Sequence, residues 1–341
     1  MASSRPLVSV VIAAHDAADF IGEALGSALA QTYTPLEVIV VDDGSTDATA
    51  EVVQALAASD PRVRLIRMEN RGPAAARNRA VAAAAGELIA PLDADDLWAP
   101  DKLERQVDTL QAAGAETGLV YCWTSAIDQE GRLLAELWRH RTETGEVRDL
   151  VVADGLIGNA SVPLYRRSVF DEAGGYDEDL RLGEDWDFHT RAAAVARIGL
   201  VPAPLVGYRL RPDSATSAGA WRAELAKATR KIRALWPDLA PSLLRRRAFH
   251  IEFFLTFLAI RRRAFPIASG LIMRGWAHMP GKIFSRESWD IMALYASHLV
   301  GAPAYAWDKP ADRAFLEASA RGAAARSTAR SPSPGPRPPR P

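Results

Sequence analysis

The chain has 341 residues, 48% of them apolar, with 41 Lys and Arg against 42 Asp and Glu, enough to bury one large core or two modest ones. Its single cysteine, Cys122, excludes an intrachain disulfide and a cysteine-rich zinc site and fits a reducing compartment. The near-zero net charge hides an asymmetry: residues 1–220 hold 20 basic against 34 acidic side chains and residues 221–341 hold 21 against 8, so the first part suits divalent cations and the second an anionic surface, a membrane leaflet rather than nucleic acid.

Leu7–Ala14 and Leu36–Val41 are β-rich runs bounded by turn residues, and between them Ile21, Leu25, Ala28 and Leu29 recur at helical spacing. The apolar start is short and ends at His15-Asp16, so it reads as a strand and not as a signal peptide, and the expected location is the cytoplasm. Further along, 46–58 is a helix capped by Ser45, Thr46 or Asp47, Arg62–Met68 a strand, Pro73–Ala85 a helix and Leu88–Leu92 a strand. Strands alternating with helices predict a mainly parallel sheet covered on both faces, an α/β fold.

The pattern continues with a helix over Asp101–Ala113, a strand over Gly118–Ser125 and a mixed, polar connection over 126–157. Ala160–Arg166 reads as a strand, Ser168–Ala173 as a short helix stopped by Gly174-Gly175, and Trp186–Arg197 as a helix. Asn159-Ala160-Ser161 matches a glycosylation sequon, which carries no weight without export. Beyond about Ser217 strand signals vanish, with helical patterns near 220–235, 240–260 and 286–300. Domain organisation is therefore expected as a catalytic unit over 1–217, a helical region over 218–317 and a disordered Pro/Ser/Arg-rich tail over 318–341. His250–Ile260, flanked by Arg245–Arg247 and Arg261–Arg263, has an apolar run too short to span a bilayer. Two readings of it stay open: a core helix, or an interfacial helix gripping anionic lipid.

In an open parallel sheet, ligands bind beyond the carboxyl ends of the strands. Three such positions carry dense acids: Asp42-Asp43-Gly44-Ser45, Asp93-Ala94-Asp95-Asp96 and Glu184-Asp185 before a helix. Adjacent carboxylates repel, so three clusters at neighbouring ends call for a cation. Asp93 and Asp95 project to the same side of an extended segment and can reach a hard divalent ion such as Mg²⁺ or Mn²⁺.

The runs PLVSVVIAAHDAADFIGEALGSALAQTYTPLEVIVVDDGSTDAT, NRGPAAARNRAVAAAAGELIAPLDADDLWAPDKL and RRSVFDEAGGYDEDLRLGEDWDF resemble, in order, glycosyltransferase family 2, inverting enzymes of the Rossmann-like GT-A fold. The resemblance covers about the first 215 residues, and His15-Asp16 stands where that family more often has Tyr-Asn. It implies that Ala13, Asp42 and Asp43 line the nucleoside, Asp42 reading a base imide and so favouring a UDP- or dTDP-sugar. Arg77, or alternatively Arg79, would meet the diphosphate; Asp93 would hold the ribose or help the metal; Asp95 would bind the metal, with Asp96 behind it. Asp185 would be the general base on the acceptor side, supported by Glu184, and Gly175 would let backbone approach the donor sugar. His189 reads as a partner of Asp185 or a helix-surface residue, Trp98 and Trp186 as sugar-stacking or packing, and Tyr208, Arg209 and Arg211 as part of a segment over the diphosphate.

The implied reaction moves a sugar from a nucleoside diphosphate donor to a sugar or glycolipid hydroxyl, in surface polysaccharide or glycolipid assembly, with peripheral membrane contact. A sugar-phosphate nucleotidyltransferase is disfavoured because AAHDAADF after the first strand has no glycine to wrap a triphosphate; a dehydrogenase fails for want of G-x-G-x-x-G. The remaining alternative is a non-catalytic nucleotide-sugar-binding scaffold.

Overall fold

A computed structural model of the chain describes residues 5–137, 142–211, 221–261, 263–285, 288–289 and 291–292. Its first half is the expected repeat: β1 (Val8–Ala14), α1 (Ile21–Leu29), β2 (Leu36–Asp43), α2 (Thr49–Ser59), β3 (Val63–Met68), α3 (Pro73–Ala83) and β4 (Leu88–Asp93). These strands lie in the order β3-β2-β1-β4 and pair in parallel. Val10, Val11 and Ile12 of β1 and Val38–Val41 of β2 are fully buried, as continuous Val/Ile runs require when both sheet faces are covered. Register does the functional work: Ala13 lies between Val41 and Asp93, and Ala14 is opposite Asp42, so two acidic strand tips end level, about 10 Å apart across β1.

The second half comprises β5 (Leu97–Trp98), α4 (Lys102–Ala112), β6 (Thr117–Ile127), β7 (Leu133–Leu137), α5 (Arg148–Asp154), β8 (Leu164–Arg166), α6 (Arg167–Ala173), α7 (Glu184–Val195) and β9 (Arg197–Arg209). The sheet continues β4-β8-β6-β9-β5, with β7 paired to β6. Here it is mixed: β8 is antiparallel to both β4 and β6, while β6 and β9 are parallel.

Several boundaries differ from the sequence reading. The supposed connection over 126–157 contains β7 and α5, and Val151 and Val152 of α5 are fully buried. The strand assigned to Ala160–Arg166 shrinks to Leu164–Arg166 because 159–163 turns under the site. The long strand β9 is hidden in the sequence by Pro202 and Pro204. It accommodates them by a register shift, Cys122 pairing with Val201 and Trp123 with Pro204, the bulge that lets proline sit in a sheet.

Three C-terminal helices follow: α8 (Trp221–Leu235), α9 (Pro241–Arg261) and α10 (Phe265–His278), then a single 3-10 turn at Pro280–Lys282. Helix α10 was not legible as a helix, and the expected helix at 286–300 and the tail over 318–341 fall almost wholly outside the described residues. The interfacial reading of His250–Ile260 is overturned: Phe249, Ile251, Phe253, Leu255, Phe257 and Ile260 are all buried in a core shared with Ala268 and Leu271 of α10. Among the described residues no helix is long and apolar enough to cross a membrane.

A second small core, Val152, Leu180, Trp186, Ala228, Ile232, Leu239 and Leu244, joins α8 and α9 to α5 and α7. An ionic clamp reinforces it: Arg246 Nε lies 2.6 Å and His250 Nε2 3.3 Å from Oδ1 of the buried Asp154. Asp154→Ala should therefore cost about 2–3 kcal/mol, the scale of breaking a partly buried ion pair, as measured by urea unfolding. A loss below about 0.5 kcal/mol, typical of an exposed pair, would show that the clamp is ornamental.

Candidate active site

The tips of β1, β2 and β4, the start of α3 and the first turn of α7 converge on Arg77. Its helix opens with Pro73 after Gly72, whose φ of 95° turns the chain. From the buried face of α3 its Nη1 donates to Glu184 Oε1 and its Nη2 to Asp93 Oδ1, each at 2.6 Å. The guanidinium also lies 5.5 Å from the Tyr176 ring centroid. Burial opposes its charge, yet Asp93 and Glu184 outweigh that cost and hold it well above the ordinary arginine value. The solvated-face reading of Arg77 is thus excluded, whereas Arg79 is exposed and drops out as its alternative. The neighbouring Asn78 exchanges two 2.8 Å hydrogen bonds with the backbone of Tyr176.

At the β4 tip the three aspartates have different surroundings. Asp93 donates its backbone N–H to Ser161 Oγ. Asp96 is fully buried, its Oδ2 accepting from Ser161 Oγ at 2.6 Å and Asn159 Nδ2 at 3.0 Å, its Oδ1 from the Arg209 N–H at 3.0 Å. Burial, then Asp95 and Asp93, raise its pKa well above normal. Asp95 is partly exposed and 3.2 Å from Arg211 Nε, and burial followed by repulsion from Asp93 lifts it to about 6. Ser161 and Asn159 were missed as site residues; the only sequence signal on them was the sequon, which suggested a different chemistry.

At the β2 tip, Asp42 is fully buried, accepting from the Ser45 N–H at 3.0 Å and from Arg67 Nε at 3.2 Å. Asp43 accepts from the N–H groups of Arg71 and Gly72 at 2.8 Å each and so shapes the turn into α3. Beside them Asp16, in left-handed conformation, accepts from the Thr46 N–H at 2.8 Å.

Glycine opens α7: Gly183 has φ 76°. Glu184 is buried on Arg77, and Asp185 accepts from the Trp186 N–H at 2.7 Å. Burial, then repulsion by Glu184, raise the Asp185 carboxyl to about 7 against the pull of Arg77. His189 is buried rather than on the helix surface, and burial drives its pKa down to about 3, so it is neutral. Trp98 and Trp186 are also packing residues: both are buried, with indole N–H groups donating to Ser161 O and Val151 O. Gly175, φ 68°, approaches Asn78 and Phe170, where a Cβ would lie 3.1 Å from each. That close approach is within the protein and is separate from the one expected with a donor sugar.

Arg209, expected over the diphosphate, is instead a buried strut. It donates to Asp95 O at 2.7 Å, Glu23 Oε2 at 2.7 Å and the carbonyls of Asp128 and Gln129. Of Arg209 and Arg211, it is Arg211 whose guanidinium meets an aspartate side chain at the acidic tip. Among the described residues no three His, Cys, Asp or Glu side chains form a complete cation cage. Asp93 and Asp95 nevertheless fit as a two-carboxylate face for a hard ion whose remaining ligands are phosphate oxygens and water, since their mutual repulsion is what a cation would relieve.

Residues 9–174 match the family described as Glycosyl transferase family 2, a stretch that contains Asp42, Arg77, Asp93 and Asp95. Residues 9–174 belong to glycosyltransferase family 2. The family 2 chain is 39% identical over 220 residues to the succinoglycan biosynthesis protein ExoO of Rhizobium meliloti, an alignment covering 61% of this chain and 62% of that protein. It is 38% identical to ExoU of the same organism, covering 55% and 57%. It thus spans about three fifths of these relatives. Among solved structures it resembles a mannosyltransferase of Pyrobaculum calidifontis bound to GDP-Man and Mn²⁺, with TM-score 0.57, 22% identity and coverage of 96% and 88%. It also resembles S. aureus TarS residues 1–349 with UDP, with TM-score 0.55, 19% identity and coverage of 86% and 87%. These likenesses bear out the GT-A fold.

Asp185 has a thermodynamic signature. With its folded pKa near 7 and its unfolded one near the ordinary 3.8, the native state binds more protons between these values, so its contribution to stability falls as pH rises through that window. Asp185→Asn should therefore gain stability relative to the parent from pH 4 to pH 7 and level off above. The gain should be about 1–2 kcal/mol after allowance for the partly exposed carboxylate. A pH-independent difference in chemical denaturation would contradict the raised pKa.

Proposed function

We propose that this family 2 chain is an inverting glycosyltransferase. It moves a sugar from a UDP- or dTDP-sugar to a hydroxyl of a sugar or glycolipid acceptor in polysaccharide assembly. The observation that carries the reading is the Arg77 bridge, which sets the metal-type carboxylates of β4 and the acid pair of α7 on opposite sides of one guanidinium. The succinoglycan names of the relatives support a polysaccharide product, and neighbours solved with UDP, UDP-GlcNAc or GDP-Man support a nucleoside diphosphate sugar donor.

In this reading Asp42, oriented by Ser45 and Arg67, accepts the N–H of the base, with Ala13 and Asp43 beside it. Asp93 and Asp95 would hold Mg²⁺ or Mn²⁺, which supplies charge stabilisation to the departing diphosphate. The Mn²⁺ in the Pyrobaculum neighbour supports that choice. Arg77 holds Asp93 and Glu184 in place and adds positive charge toward the phosphates. Asp185, across the pocket, takes the proton of the acceptor hydroxyl as oxygen attacks the anomeric carbon from the face opposite the leaving group, which inverts configuration. A carboxyl raised to about 7 is a stronger base than an ordinary aspartate and remains ionised enough to act near neutrality.

Asp185→Asn should lower turnover about a hundredfold or more while leaving UDP affinity unchanged. The parent should lose activity as pH falls through about 7, because protonated Asp185 cannot accept. Equal losses of turnover and binding would remove the base role. Asp95→Ala, or EDTA on the parent, should instead weaken UDP binding by calorimetry; undiminished binding and turnover with EDTA would exclude a metal.

Peripheral contact with an anionic membrane belongs to this proposal, though on a different surface from the buried α9. Ile267 and Met273 of α10, with Phe284 and Trp289 beyond it, are 51%, 63%, 83% and 65% exposed. Residues 263–286 hold four Lys and Arg and no acid, the composition of an interfacial surface. The chain should sediment with vesicles containing phosphatidylglycerol and not with pure phosphatidylcholine. Equal partitioning, or none, would contradict this surface.

A further inference from the structure

The triple arginine run Arg245–Arg247 reads in the sequence as a basic flank, yet α9 turns two of its members inward. Arg246 joins the Asp154 clamp, and Arg247 lies over the Trp186 ring with its guanidinium carbon 4.8 Å from the centroid. Among the described residues Arg247 makes no hydrogen bond or ion pair, and its Nε is buried without a partner. Its Nη1 fits against Gly155, φ 63°, where any Cβ would collide with it. Burial lowers its pKa to about 10, while Asp185 and Asp154 act in the opposite sense. Asp154 is already engaged by Arg246 and His250, which leaves Asp185 as the acid on the pocket side.

A half-buried cation whose buried Nε has no protein partner calls for a reason. Trp186 connects it to the chemistry. Its ring is pinned by the bond from Nε1 to Val151 O at 3.2 Å, and its backbone N–H holds Asp185 Oδ1 at 2.7 Å. A cation pressed on that ring stabilises its orientation and places positive charge behind the carboxylate.

We propose that Arg247, supplied by the C-terminal helical region, is a positioning residue for Asp185, acting through Trp186 and through its own charge. The inference rests on the reading of Asp185 as the base. It makes the helical region a component of the acceptor half of the site. Arg77 also attracts Asp185, so two cations act on this carboxylate.

The test compares Arg247→Met, Arg247→Lys and Asp185→Asn in the full-length chain. The readouts are nucleoside diphosphate release from a UDP-sugar with Mn²⁺, UDP affinity by calorimetry, and melting temperature. Arg247→Met should lower kcat about tenfold, the scale of one lost neighbouring charge, with UDP affinity within about twofold of the parent, and Arg247→Lys should recover most of the loss. Unchanged kcat in Arg247→Met while Asp185→Asn is inactive overturns the role of Arg247 alone. A joint fall in kcat, UDP affinity and melting temperature that Lys does not rescue makes Arg247 a packing residue only. Full turnover by Asp185→Asn overturns the base reading and this proposal with it.

Discussion

A single buried guanidinium sets the geometry of the pocket. Strand register carries Asp93 to the edge of the sheet and the glycine at 183 aims the first turn of α7 inward, so carboxylates converge that would repel one another across a poorly solvated space. Arg77 satisfies two of them, Asp93 and Glu184, with one fork. Asp42 and Asp96 are met by Arg67 and by the Ser161–Asn159 turn. What remains is informative: Asp95 and Asp185 are the carboxyls whose pKa values burial and neighbouring acids raise to about 6 and about 7. They are the two the proposed chemistry needs, one for a cation and one for a proton.

The rest of the molecule supports this arrangement from behind. Arg209 knits the loop after β4 to α1 and to the turn after β6, which lets Arg211 lean on Asp95 while both guanidiniums rest on Phe20, 5.1 and 5.0 Å from its ring. On the other side, α5 and α9 enclose Trp186 and carry the Asp154 clamp. The C-terminal helices therefore back the first turn of α7, and the same region presents exposed apolar side chains at Ile267, Met273, Phe284 and Trp289. An acceptor held at a lipid surface would meet both faces of one helical layer.

The parallel half of the fold was legible because β1 and β2 are Val/Ile-rich runs and α1 between them repeats apolar residues at helical spacing. That Asp93 and Glu184 come together on Arg77 was foreshadowed by the acids at chain positions 42–43, 93–96 and 184–185, since acids at strand ends have no packing reason to cluster. Other parts depend on contacts far apart in sequence. β9 is concealed by prolines that only a bulge against Trp123 accommodates. α5 is only seven residues long, too few to establish a periodic pattern, and its burial comes from helices 90 residues later. Ser161 looked like a sequon and serves as a hinge pin for Asp93 and Asp96. Arg245–Arg247 looked like a solvated flank, and no local signal distinguishes an arginine that turns inward. Trp98 is a packing residue, one of the two readings left open for it, and His189 lies in the interior and not on the helix surface.

The central claim is that the acids at the strand tips embrace a cation and a diphosphate while Asp185 waits across the cavity. Diffraction at the manganese edge from crystals grown with UDP and Mn²⁺ tests it most directly. An anomalous peak within about 2.0–2.4 Å of an Asp95 carboxylate oxygen is expected, with the uracil at Asp42 and Asp185 on the acceptor side. A manganese ion bound elsewhere, or UDP seated away from Asp42 and Asp95, would contradict it.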